Sequence, residues 1–121
     1  MKKILNVLFL LLILTSCGSE TQNTVSYSEA DLLGVWHRTY ADETIKGREF
    51  LDAGKGFLGN YQTGSFSRAG EITWELNEGK IVIVQLFDEQ TVIEEVIQVN
   101  KEVLIIKRLD TGEIRNFEYD Q

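Results

Sequence analysis

Few residues of this chain carry chemistry that their type and spacing do not already explain. His37 is the only histidine and Cys17 the only cysteine. A multi-histidine metal site is thereby excluded, and a Ser/His/Asp constellation would have to use His37. His37 follows Trp36 directly and falls on the opposite face of any strand they share, where an ordinary half-buried or exposed imidazole is the expectation. The 19 Asp and Glu side chains could supply an acid pair, yet no spacing singles one out. Glu94 and Glu95 fall on opposite faces of a strand, while Asp42-Glu43 and Asp88-Glu89 read as turn residues. Calcium-loop spacing is missing. Gly54-Lys55-Gly56-Phe57-Leu58-Gly59 matches G-x-G-x-x-G literally, but a pyrophosphate cradle needs a helix after the loop. Here Phe57-Leu58-Gly59-Asn60-Tyr61 reads as strand. No catalytic residue, metal ligand or cofactor is expected, and the chain reads as non-enzymatic.

The elements that must position any remaining site are strands. Ser28-Glu29-Ala30-Asp31 has capping-box spacing with Asp31 in the usual place of Glu, and only Leu32 and Leu33 follow before Gly34. Any helix there is a turn or two. After Gly34 the apolar period becomes two over Val35–Tyr40, Lys46–Leu51, Phe57–Gln62, Ser65–Arg68, Ile72–Leu76, Ile81–Phe87, Thr91–Val99, Val103–Leu109 and Ile114–Tyr119. Between them lie D-A-G-K-G, N-E-G-K, D-E-Q, N-K and D-T-G-E, all turn chemistry. There is no proline to forbid long central strands. About eight strands in sequence with short connections predict an all-β fold, an antiparallel up-and-down meander closed into a barrel after a short N-terminal helix.

Turn parity then predicts what faces inward. An even loop at Asp110-Thr111-Gly112-Glu113 sets Arg108 opposite Arg115, Ile106 opposite Phe117 and Leu104 opposite Tyr119. A two-residue hairpin at Asn100-Lys101 sets Glu95 opposite Ile106 on the same face. An even loop at Asn77-Glu78-Gly79-Lys80 gathers Ile72, Trp74, Leu76, Ile81, Ile83 and Gln85. The predicted lining is apolar, with Glu95, Arg108, Arg115 and Gln85 among it. One reading is an anion site, in which Arg108 and Arg115, with Glu95 and Tyr119 near them, hold the carboxylate of an amphiphile. The simpler reading is structural: one arginine lies on Trp36 by a cation–π contact and the other pairs with Glu95, in a barrel filled by its own side chains.

Two resemblances add to this. Lys2 and Lys3 precede Ile4–Leu14, an apolar run broken only by Asn6 and too short to span a bilayer as a helix. Leu14-Thr15-Ser16-Cys17 then resembles the lipobox of bacterial lipoproteins. The resemblance implies cleavage before Cys17, a diacylglycerol thioether on it and acylation of the new amine. Several acyl chains on one residue would hold the protein on a membrane essentially permanently. Gly18–Ser26 is polar and reads as a tether of roughly 15–18 Å. The organisation is therefore a signal peptide over 1–16, a lipidated cysteine and tether over 17–26, and a barrel domain over 27–121. Leu33-Gly34-Val35-Trp36 resembles the G-x-W signature of lipocalins, and the chain resembles the small bacterial lipocalin-like lipoproteins. In that family the tryptophan plugs the closed end of the barrel and a late-chain arginine packs on it. The domain is shorter than a typical lipocalin, which argues against a deep ligand cup. Arg115-Asn116-Phe117 is similar to the R-x-Y ending of fatty-acid-binding proteins, with Phe117 where the tyrosine would stand.

Charge and the outer face bound the partners. The net charge of −7 makes nucleic acid an unexpected partner. In the lipoproteins whose lipobox this one resembles, aspartate after the cysteine goes with retention at the inner membrane, so the resemblance with Gly18 in that place implies the outer membrane. Ile81–Val84, Val92-Ile93, Val96-Ile97 and Val103–Ile106 are apolar on both faces. Either small valines are simply exposed, or something covers Val82, Val84 and Leu86: the N-terminal segment, a second copy or another envelope protein. The expectation is an outer-membrane-anchored lipoprotein binding a small hydrophobic or amphiphilic ligand in its barrel. The alternative is a structural or protein-interaction module of the envelope.

Overall fold

Period-two patterning becomes strand wherever it was read, and the strands close on themselves. The computed structural model describes residues 27–120. The leader, Cys17 and the tether lie outside the described residues, as does Gln121. A single 3₁₀ turn, Glu29–Asp31, is followed by β1 (Gly34–Thr39), β2 (Ile45–Leu51), a second 3₁₀ turn (Asp52–Gly54), β3 (Lys55–Gln62), β4 (Ser65–Asn77), β5 (Lys80–Gln85), β6 (Gln90–Val99), β7 (Val103–Arg108) and β8 (Ile114–Tyr119). Each strand pairs antiparallel with the next, and β8 returns to β1, so eight strands form a closed up-and-down barrel. Closure leaves no free edge to template aggregation.

One end of the barrel is sealed. Trp36 and Leu32 are fully buried there, and the indole Nε1–H donates to the Leu32 carbonyl at 2.9 Å. Tyr119 meets Trp36 edge-on, with ring centroids 4.9 Å apart. Gly34 makes this contact possible: its φ is +120°, and a Cβ there would lie 2.5 Å from the Tyr119 ring. The glycine of G-x-W thus meets two demands, backbone conformation and close approach. Trp74, packed on Phe50 at 4.7 Å, donates its indole N–H to the carbonyls of Leu51 and Lys55. Loops 40–44, 86–89 and 109–113 surround the other, open end.

Two registers and one strand break differ from the sequence reading. Ser65–Arg68 and Ile72–Leu76 are parts of one 13-residue strand, β4. Leu58 pairs with Gly70 and Gly59 with Arg68, so Ala69 is an extra residue that bends the strand rather than ending it. The β3–β4 hairpin beyond this bulge curls over the outside of β1 and β2. Phe66 covers Gly47 and Gly59, Tyr61 stacks on His37 at 4.4 Å, and the Tyr61 hydroxyl donates to Asp120 at 2.5 Å. His37 is on the outer face and half-buried, opposite Trp36. In β7–β8, Leu104 pairs with Phe117 and Ile106 with Arg115, a shift of two residues that keeps every side chain on its expected face. In β6, Val96 pairs with Ile106 but Gln98 with Ile105. Ile97 is a bulge, and it inverts the face of everything before it. Glu95 therefore lies on the outside beside Lys107, and Glu94 is the inward acid, 1% exposed. The expected inward Glu95 is corrected to Glu94. The β4–β5 register is as read, with Ile72, Trp74 and Leu76 opposite Gln85, Ile83 and Ile81.

Candidate functional site

The lumen divides at a buried ion pair. Arg48 of β2 and Glu94 of β6 stand four strands apart in an eight-stranded ring, so their side chains meet across the barrel. The contact is bidentate, Nη1 to Oε1 at 2.5 Å and Nη2 to Oε2 at 2.9 Å. The Arg48 guanidinium also lies 4.3 Å over the Phe117 ring and 5.9 Å from that of Phe50. Two buried charges are tolerable because the fork geometry satisfies them together. Toward the sealed end the lumen is filled by Trp36, Phe50, Ile72, Ile81, Leu104 and Ile106.

Toward the open end a cavity of about 160 Å³ remains. Leu58, Ile83, Val92 and Phe117 give it apolar walls, and Gln85, Arg108 and Arg115 give it polar ones above the Arg48–Glu94 pair. A separate open groove lies beside Leu58, Gly59, Gly70 and Phe87. Phe87 can lie over Gly70 because a Cβ there would meet its ring at 2.5 Å.

The arginines are held by the loop that joins β7 to β8. Arg108 donates from Nε and Nη2 to the two carboxylate oxygens of Asp110, at 3.0 and 2.5 Å. Arg115 donates from Nη2 to Glu113 at 2.9 Å, and Arg38, inward at the end of β1, reaches the same carboxylate at 3.6 Å. The bond to Arg108 holds the Asp110 carboxyl below its ordinary range, and Arg115 followed by Arg38 does the same for Glu113. One buried side-chain polar atom among the described residues has no partner: Nε of Arg115.

The predicted site residues thus part company. Arg108, Arg115 and Gln85 line one cavity, as the parity reading implied. Glu95 is outside, and Tyr119 belongs to the sealed end with Gly34 and Trp36. Neither Arg108 nor Arg115 lies on Trp36; Tyr119 fills that place. Cys17 lies outside the described residues. Gly54 precedes a strand and Gly59 lies within it, so no helix follows the G-x-G-x-x-G stretch. Sequence reasoning missed Arg48 and Arg38. Both were accessible to it, since Phe50 and Trp36 face inward and the arginines stand two residues away on the same strands.

A scan against protein-family models finds no match, and neither curated proteins nor solved structures yield one. The geometry alone carries the functional argument. It is a lumen sealed at one end and open at the other, with an apolar wall and a cluster of guanidinium groups at the open end.

Proposed function

We propose that this chain is a non-enzymatic, lipocalin-like lipoprotein, anchored in the outer membrane through Cys17, that binds a small amphiphilic molecule in the open end of its barrel. The observation that carries the reading is the cavity of about 160 Å³ where apolar walls and arginines converge. Such sites are mostly apolar with a few placed polar groups. The anchor rests on Leu14-Thr15-Ser16-Cys17 and the apolar run before it. Cys17→Ser should leave the chain unprocessed or soluble; a variant still fractionating with the outer membrane would remove the anchor.

Binding is testable on the full chain in lipid nanodiscs, with empty discs as the blank. Fluorine-labelled six-carbon alcohol and acid probes should show at least one component whose fluorine resonance broadens and shifts on wild-type protein. Val92→Phe should abolish that response while leaving the thermal melt within a few degrees, because the larger side chain occupies the cavity at its open end. Unchanged binding in Val92→Phe, or none in wild type, would remove the carrier reading.

A second reading is favoured by the outer face. Ile93, Leu109 and Ile114 are 39%, 43% and 59% exposed, and Val82 pairs with Ile93 beside them. An apolar stretch on β5–β8 suits an envelope partner or a second copy, and it would make the barrel an interaction module.

A further inference from the structure

The open-end arginines are not equivalent, and their difference says what the cavity takes. Arg48 is met by both oxygens of Glu94, and Arg108 by both oxygens of Asp110. Arg115 is held by Glu113 through Nη2 alone, while its buried Nε has no partner among the described residues. A guanidinium takes a carboxylate best through two parallel N–H donors, so Arg115 is half filled. A buried donor left unpaired is costly, and a carboxylate that displaces Glu113 would engage Nε and Nη2 together. Glu113 is the weak point of the present arrangement: its side chain is 44% exposed, on a loop, and shared with Arg38 at 3.6 Å. Its carboxylate stands where a ligand's carboxylate would, and an exposed pair of this kind contributes little.

The size of the cavity limits the rest of the ligand. An engineered apolar cavity of about 150 Å³ accommodates benzene, and this one measures about 160 Å³. The walls of Leu58, Ile83, Val92 and Phe117 would surround one ring or a chain of about six carbons, whereas a longer tail would extend past them into water. We propose that the cavity binds a small organic carboxylate, a monocyclic aromatic or short-chain acid, with its carboxylate on Arg115 in competition with Glu113. This rests on the carrier reading and narrows it.

Calorimetric titration of the full chain in nanodiscs separates the two. Benzoate and hexanoate should bind, benzyl alcohol at least tenfold more weakly, and inorganic phosphate more weakly than either acid. From butanoate to hexanoate, affinity should rise about fourfold per methylene and then level, because further methylenes stay in water. Arg115→Gln should lose binding by tenfold or more. Glu113→Gln should tighten it by up to about fivefold, the weight of an exposed ion pair, which a purely structural Glu113 would not do. A steady rise through dodecanoate, or benzyl alcohol equal to benzoate, would overturn the short-acid proposal and leave a carrier of another ligand. Phosphate equal to benzoate would overturn the role of the apolar walls. Weaker binding in Glu113→Gln would overturn the competition. Failure of every acid and alcohol would overturn both this proposal and the carrier reading.

Discussion

At the scale of single residues, one charge pair organises the interior. Arg48 and Glu94 are nearly inaccessible to solvent and bind each other through both oxygens. Neither was chosen by sequence reasoning, for different reasons. Arg48 needed only the alternation of β2 around Phe50. Glu94 needed knowledge of a bulge at Ile97, and a bulge depends on how β6 fits β7 rather than on β6 itself. The pair makes a sharp prediction. Glu94→Ala leaves Arg48 as an unpaired buried cation and should destabilise by about 3–5 kcal/mol. The double variant Arg48→Met/Glu94→Leu should recover most of that loss, since apolar groups of similar volume replace both charges. Urea unfolding of the single and double variants measures it. An additive double loss would mean the residues act independently.

At the scale of elements, the strands were legible because apolar period two survives wherever one face is buried. The β4–β5 register followed from one even turn at Asn77-Glu78-Gly79-Lys80, whose Glu78 and Gly79 both adopt positive φ. Where the reading broke, a residue had been inserted or a loop redistributed. Ala69 joins two supposed strands into one, and the β7–β8 hairpin moves by two residues without changing faces. The hairpin's curl over His37 was not legible, because Phe66 over Gly47 and Gly59 joins segments distant in sequence. The G-x-W element carries its own test. Gly34→Ala adds a Cβ at φ +120° and 2.5 Å from the Tyr119 ring. It should cost about 2–4 kcal/mol through backbone strain and overpacking together. A thermal melt of the variant unchanged from wild type would show that Tyr119 does not depend on that close approach.

At the scale of the whole molecule, closure makes the barrel and filling decides its use. Strand count and the absence of proline made the architecture legible in the sequence. The partition of the lumen was not, because it depends on which side chains from opposite strands meet. Aromatic and branched residues occupy the sealed end, the Arg48–Glu94 pair crosses the middle, and the cavity remains above it. A carrier would use that cavity, and an interaction module would use Ile93, Leu109 and Ile114 on the outside. One measurement separates them most directly. It is a two-dimensional NMR map of Ile, Leu and Val methyls and arginine Nε–H groups, recorded on the full chain in nanodiscs before and after hexanoate. The account predicts shifts at Leu58, Ile83, Val92 and the Arg115 Nε–H, with Ile93 on the outer face unmoved. Shifts confined to Ile93, Leu109 and Ile114, or none in the lumen, would contradict it.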